Sequence, residues 1–154
     1  EALARRFDVP AVYDDPQGLL RHETIDFMDV ITHVDAHSPL VHLAARSGVP
    51  VICQKPMAPD LETAEQMVTV CREAGVPFMV HENWRFQYPI QQVKRALEES
   101  GVGQPFRGRI VYANSAPVFE NHPYLKQLDR FILNDMGSHI LDVARFLFGE
   151  AETV

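Results

Sequence analysis

Val49-Pro50-Val51-Ile52-Cys53-Gln54-Lys55-Pro56 is the segment of this sequence that indicates the fold most clearly. Its largely apolar run, from Val51 to Gln54, follows Gly48, a typical helix end, and stops at Lys55-Pro56. A short apolar run between two helical patterns is typical of a buried parallel strand. Open α/β sheets bind ligands beyond the carboxyl ends of their strands, so Lys55 lies where a ligand-binding side chain is expected. An ordinary surface lysine at a strand end is the alternative.

Strand-like and helix-like segments alternate on both sides of this run. The further strand-like segments are residues 11–13, 28–34 and 76–80, and the helical ones are 16–22, 38–47, 60–75 and 88–100. Ser38 and Asp60 are expected N-caps, and Gly75 is an expected helix end. Strands and helices that alternate over such short connections favour a parallel sheet with right-handed crossovers. We therefore predict an α/β protein with a partial Rossmann-type sheet.

The pattern changes after Gly103. Residues 106–115 form a longer segment with partial alternation, which is typical of an antiparallel strand with one covered face. A long loop follows, and a helix is expected from Asn134-Asp135 to Phe148. We predict a first domain over residues 1–84 and, over residues 85–154, the beginning of a second domain of the α+β type with an antiparallel sheet.

The composition limits the classes of function. Apolar residues make up 46% and charged residues 23% of the chain, as in ordinary globular proteins. The formal net charge of -7 argues against nucleic acid or an anionic membrane surface as a partner. No apolar run approaches the roughly 20 residues of a membrane helix. Cys53 and Cys71 have no metal-type spacing, so we expect reduced core cysteines and a cytoplasmic protein.

The helical segment near the end of the chain carries the second set of chemical side chains. Asp135, His139 and Asp142 are spaced by four and three residues, which places them on one helix face. The helix dipole favours the carboxylate of Asp135 in the first turn. Gly137 weakens the helix by about 1 kcal/mol against alanine, which suggests that another group approaches the backbone there. The alternative is a capping aspartate and a histidine that is hydrogen-bonded in a domain interface.

Lys55 and His139 have complementary chemistry. Oxidation of a secondary alcohol by hydride transfer needs a base for the hydroxyl proton, and histidine is suited to this task. A nearby carboxylate can orient the imidazole, and a cation can stabilise the developing alkoxide.

These residues also carry a resemblance to a known family. Gln54-Lys55-Pro56 resembles the Glu-Lys-Pro signature of the Gfo/Idh/MocA family of NAD(P)-dependent oxidoreductases. Asp135-x-Gly137-x-His139-x-x-Asp142 is similar to the second signature of that family at every position. The segment Asn83-x-Arg85, and Thr32 together with His37, resemble two further family segments. The four segments occur in the order of the family and span nearly the whole chain.

The resemblance implies a function and a set of site residues. It implies catalytic roles for Lys55, which would position substrate and cofactor, for His139 as general base, and for Asp135, which would bind substrate and orient that base. It implies cofactor contacts with NAD or NADP by Thr32, His37, Gln54, Lys55, Asn83 and Arg85. The implied substrate is a sugar, inositol or related polyol, and the implied assembly is a homo-oligomer without a catalytic metal.

The sequence departs from the family in three ways. Gln54 replaces a glutamate, which leaves the choice between NAD and NADP open, and His33 stands where the family often has proline. No Gly-x-Gly-x-x-Gly loop occurs, so we expect that the first two strands of the family precede Glu1 and that the chain is an internal fragment. Since those strands would lie between the segments 11–13 and 28–34, we expect either the first of these segments or a second copy to cover the exposed edge of the other.

Three further expectations complete the prediction. A metal-dependent sugar isomerase or hydrolase that uses His81, Glu82, Asp135 and His139 is one alternative function. A non-catalytic sugar-binding or oligomerisation module derived from such an enzyme is another. The resemblance also raises the expectation of a cis peptide bond between Lys55 and Pro56.

Overall fold

The structure is a computed structural model that describes residues 2–99, 101–121, 123–127 and 130–153. Contacts within the chain divide it into two compact units, the first ending at His81 and the second beginning at Glu82. This division falls three residues before the boundary predicted from the sequence. Within the described ranges, no helix is long and apolar enough to cross a membrane.

The first unit is built around a parallel sheet of three short strands. The strands are β1 (Met28–Val30), β2 (Val51–Cys53) and β3 (Phe78–Val80), in the order β1-β2-β3. Met28 pairs with Val51, and Val51 pairs with Phe78. Four helices accompany the sheet: α1 (Ala2–Arg6), α2 (Pro16–His22), α3 (His37–Arg46) and α4 (Leu61–Ala74). The predicted α/β class with a parallel sheet is confirmed.

Local signals set three of the helix ends in this unit. The side chain of Asp15 accepts a hydrogen bond from the backbone N–H of Gly18 at 2.7 Å and caps α2. Asp60 caps α4 in the same way, at 2.8 Å from the N–H of Thr63, and Gly75 ends this helix at a φ of 66°. The predicted cap at Ser38 is wrong, because α3 begins at His37 and has no side-chain cap.

The core of the first unit lies between the sheet and the pair of helices α3 and α4. Its fully buried members are apolar or sulfur-containing side chains: Val30, Val41, Ala44, Ala45, Val51, Cys53, Met67 and Cys71. Met67 and Cys71 are the fully buried residues of α4. Leu61, at the first helical position, is 73% exposed, so the apolar side chain at the start of this helix does not join the core.

Both cysteines lie in this core as free thiols. Burial raises the pKa of the Cys53 thiol to about 11 and also raises that of Cys71. Since only the thiolate reacts, we expect iodoacetamide at about pH 8 to leave both thiols of the folded protein unmodified. Mass spectrometry after labelling with and without urea checks this. Labelling of either thiol in the folded state, at the rate seen in urea, would contradict the buried positions.

The first of the predicted strands does not form. Residues 11–13 have no regular secondary structure, so the strand predicted there is wrong. A strand of three residues is stable only beside a hydrogen-bonded neighbour, and β1 pairs with β2 alone within the described residues. The strand predicted over 28–34 also ends early, because a 3-10 turn follows at Val34–Ala36. The segment 11–13 therefore does not cover the outer edge of β1 as a strand.

The second unit is helical in the described residues. It contains α5 (Tyr88–Glu98), α6 (Val118–Asn121), α7 (Ser138–Phe148) and 3-10 turns at Trp84–Phe86 and Pro123–Gln127. A π-helical turn at Leu133–Gly137 leads directly into α7. The helix predicted from Asn134-Asp135 to Phe148 is therefore confirmed, with a wider first turn.

The antiparallel strand predicted over residues 106–115 does not form. That segment has no regular secondary structure, and Phe106 is 98% exposed. The alternating pattern can give a strand only where a partner strand offers its backbone groups. None of the described residues of this unit forms such a partner.

Candidate active site

The carboxyl end of β2 carries the candidate cation of the first unit. Lys55 follows the strand directly, is half-buried, and is joined to Pro56 by a cis peptide bond, as expected from the sequence. The side-chain amide of Gln54 donates through Nε2 to Nδ1 of His81 at 2.9 Å. Its Oε1 accepts from the backbone N–H of Lys55 at 3.3 Å. Gln54 is thus fixed between the ends of β2 and β3.

His37 differs from the other predicted cofactor contacts because it is buried. The residue is 1% exposed, and its two ring nitrogens lie 3.2 Å from the carbonyl oxygens of Thr32 and Met57. It therefore ties the turn after β1 to the segment after β2. Thr32 itself is exposed at that turn. Its predicted cofactor contact stays a prediction, and the geometry favours an indirect role for His37, which holds Thr32 in place.

His139 is the central side chain of the second unit. It lies in the first turn of α7 and is only 6% exposed. Its Nδ1 lies 2.6 Å from Oε1 of Glu82. The indole of Trp84 stacks on the imidazole, with ring centroids 4.6 Å apart and an interplanar angle of 6°. The ring is therefore held by a carboxylate at one nitrogen and by an aromatic face.

Glu82 is the site residue that the sequence reasoning did not place in a catalytic role. The family resemblance implies that Asp135 is the carboxylate that orients His139. Glu82 enters the predictions only as a ligand in the metal-dependent alternative. Glu82 is separated from His139 by 57 residues, so no helical spacing connects the two. The adjacency of Glu82 to the Asn83-x-Arg85 segment was the one available signal. Asp135 lies half-buried in the π-helical turn, and its predicted role stays a prediction.

Arg85 is paired with the last member of the helical signature. It donates from Nε to Oδ2 of Asp142 at 2.8 Å, and its Nη2 contacts Oδ1 of the same carboxylate. The hydrogen bond to Asp142 raises the pKa of Arg85, so the guanidinium stays charged. This bidentate pair fixes the turn at Trp84–Phe86 to α7. Asn83 is exposed at the start of that turn, and the cofactor contacts predicted for Asn83 and Arg85 stay predictions.

The metal-dependent alternative requires a cluster of ligands. Among the residues that the structure describes, no group of three or more histidine, cysteine, aspartate or glutamate side chains could hold a metal ion. That alternative therefore has no ligand cluster to support it in this part of the chain.

The two units carry different chemical groups. The sheet edge of the first unit presents an ammonium group and a fixed amide, which suit polar or anionic ligand groups. The second unit presents a buried histidine with a carboxylate partner, an arrangement suited to proton transfer.

Comparison with known proteins assigns a family to each part. Residues 1–82 match the family described as "Oxidoreductase family, NAD-binding Rossmann fold". Residues 90–154 match the "GFO/IDH/MocA C-terminal domain".

The chain is also similar to individual dehydrogenases. It is 48% identical over 149 residues to a D-apiose dehydrogenase of Paraburkholderia graminis, covering 97% of this chain and 40% of that protein. It is 28% identical over 148 residues to a myo-inositol 2-dehydrogenase of Thermotoga maritima, covering 96% and 43%. A solved oxidoreductase of Agrobacterium radiobacter, in complex with NAD+, L-tartaric acid and magnesium, superimposes with a TM-score of 0.93 at 44% identity, covering 97% and 44%. The chain thus spans less than half the length of these proteins.

Proposed function

We propose, from the premise that this chain belongs to the GFO/IDH/MocA family of oxidoreductases, that it forms part of an NAD-dependent dehydrogenase. The reaction is hydride transfer between the nicotinamide cofactor and a secondary alcohol of a sugar or polyol. The family membership confirms the resemblance that the four sequence segments indicated.

The observation that carries this proposal is the contact between Glu82 and His139, in which the buried histidine lies on the helix with the family signature. Oxidation of a secondary alcohol removes a hydride from carbon and a proton from the hydroxyl oxygen. NAD, when bound, supplies the hydride acceptor. The imidazole of His139 takes the hydroxyl proton, and the carboxylate of Glu82 beside it offsets the positive charge that forms on the ring.

The donor set at the sheet edge fits a nicotinamide cofactor. Thr32, Gln54 and Lys55 follow the carboxyl ends of β1 and β2, where open α/β sheets bind nucleotides. A fixed amide and an ammonium group can bind the polar groups of a nicotinamide ribose and steady an alkoxide. No Gly-x-Gly-x-x-Gly motif occurs in the 154 residues, so these residues would serve the nicotinamide side of the cofactor. The match to an NAD-binding Rossmann family supports a nicotinamide dinucleotide as the cofactor.

The substrate class is a small sugar or polyol. The two curated relatives act on D-apiose and on myo-inositol, according to their names. Both compounds carry secondary hydroxyl groups, which is the group that the proposed chemistry requires. The homo-oligomeric state implied by the family resemblance stays a prediction.

The test of this function uses the full-length protein, NAD+ and a panel of polyols that includes D-apiose and myo-inositol. We expect NADH to form with at least one of them, and its absorbance measures the rate. Binding of a sugar without NADH formation would favour the non-catalytic module instead. Absence of both binding and turnover across the panel would contradict the proposal.

Replacement of Lys55 by methionine tests the cation of the first unit. The methionine side chain has much of the length of lysine but no charge. We therefore expect kcat/KM to fall by about 100-fold or more at every pH. The loss should be similar across the pH range, because methionine carries no charge at any pH. Lys126→Met removes a charge from the 3-10 turn at Pro123–Gln127 and is the matched control. Equal rates for the Lys55 variant and this control would contradict the assignment.

A further inference from the structure

Glu82 is held so that one of its carboxylate oxygens faces His139. Oε1 accepts a hydrogen bond from the backbone N–H of Trp84 at 3.1 Å and lies 2.6 Å from Nδ1 of His139. The side chain of Glu82 is largely buried, and its Oε2 has no hydrogen-bond partner among the described residues. A buried carboxylate oxygen without a hydrogen-bond partner is costly. The contacts of Oε1 with the backbone of Trp84 and with Nδ1 of His139 offset part of that cost.

The contact with Glu82 determines which ring nitrogen of His139 carries the proton. An ionised carboxylate can only accept hydrogen bonds, so Nδ1 must donate. A neutral imidazole has a single N–H, which leaves the lone pair on Nε2. The basic nitrogen of His139 is therefore Nε2, on the side of the ring opposite to Glu82.

Trp84 favours the observed arrangement of the ring. Its indole covers one face of the imidazole, with ring centroids 4.6 Å apart, and is nearly parallel to it. An imidazole that turned about its Cβ–Cγ bond would lose this stacked contact. The backbone of the same residue holds Oε1 of Glu82. Trp84 thus fixes both partners of the pair.

We infer that Glu82 is the positioning residue of this site: it fixes His139 with the proton on Nδ1 and stabilises the imidazolium that forms when Nε2 takes a proton from the substrate hydroxyl. The inference rests on the proposed dehydrogenase function and adds a residue and an atom to it. In the step, the O–H and C–H bonds of the alcohol break and a C=O bond forms: the proton moves to Nε2, and the hydride from carbon goes to the nicotinamide that bound NAD would supply. Glu82 accepts no proton at any point, and its charge offsets the positive charge on the ring.

Glu82→Gln is the first test, with the full-length enzyme. A glutamine can accept from Nδ1–H through its oxygen or donate to Nδ1 through its nitrogen, so it specifies neither form of the ring and has no charge. We expect kcat to fall by about 10- to 100-fold, with the KM for NAD within about twofold of the parent. Glu82→Asp keeps the charge and should recover part of the lost rate. Glu98→Gln, on the exposed side of α5 beside Lys94, is the matched control and should retain the parent kcat.

Nitrogen NMR of His139 is the second test, because it reads the position of the proton directly. With the ring neutral, the parent protein should show a protonated Nδ1 and an unprotonated Nε2. In the Glu82→Gln variant, a second population with the proton on Nε2 should appear. A merely structural role of Glu82 would not predict this change.

The outcomes separate this inference from the proposed function. A proton on Nε2 in the parent protein, or parent kcat in the Glu82→Gln variant, overturns the role of Glu82. Because the parent spectrum alone can give the first of these results, the inference is falsifiable even if the variant fails to fold. Parent turnover in a variant that lacks His139 would instead overturn the proposed function.

Discussion

Replacement of His139 by asparagine should lower kcat by about 100- to 10,000-fold, which is the usual contribution of a positioned general base. Asparagine cannot take the hydroxyl proton, so the reaction would depend on hydroxide from solvent. The deficit should therefore be largest at low pH and smaller as the pH rises. Stopped-flow or steady-state measurement of NADH formation across the pH range gives the profile.

The control for this variant is His42→Asn. His42 lies on α3, and its Nδ1 lies 2.9 Å from the backbone oxygen of Ser38, so it belongs to the first unit and to none of the proposed machinery. It should retain the parent profile. Parent rates at low pH in the His139 variant would contradict the assignment of His139 as the general base.

Replacement of Met67 by alanine should lower the free energy of unfolding by about 2–5 kcal/mol. Met67 is 0% exposed and lies in the core cluster between β1, β2 and the helices α3 and α4. Truncation removes buried apolar surface and leaves a cavity that the surrounding side chains fill only in part. Urea unfolding followed by circular dichroism measures the change as a shift of the midpoint at constant slope.

Met79 provides the matched control on the same sheet. It is the central residue of β3 and is 51% exposed. The same change to alanine there should alter the free energy of unfolding by less than about 0.5 kcal/mol. Met67→Leu, which keeps the volume, should cost less than about 1.5 kcal/mol. Equal destabilisation by the two methionine-to-alanine changes would contradict the burial pattern.

The sequence predicted the elements whose signals are local. Asp60 and Gly75 define both ends of α4, and the apolar run at Val51 defines β2, because capping and short-range periodicity depend only on neighbouring residues. The strands predicted at residues 11–13 and 106–115 are wrong. A strand is stabilised by a partner that lies far along the chain, and the sequence of the strand alone does not reveal whether that partner is there.

The residues of the candidate site show the same difference between local and long-range relations. Asp135 and His139 could be related to each other because helical spacing makes neighbours of residues four apart. The contact between Glu82 and His139 joins residues 57 positions apart, and no periodicity predicts it. Arg85 and Asp142 illustrate the same limit, since each was recognised within its own segment but their pairing was not. Long-range pairs of this kind depend on how α7 packs against the turn at Trp84–Phe86.

Trp84 is the only tryptophan of the sequence, and it lies face to face with His139. Within these 154 residues, the fluorescence emission above the tyrosine band therefore comes from one indole at one place. A ligand that displaces His139, or a charge that appears on its ring, changes the surroundings of that indole and hence its emission. This part of the protein thus contains its own optical reporter, and the time course of events at this histidine can be recorded without any attached dye.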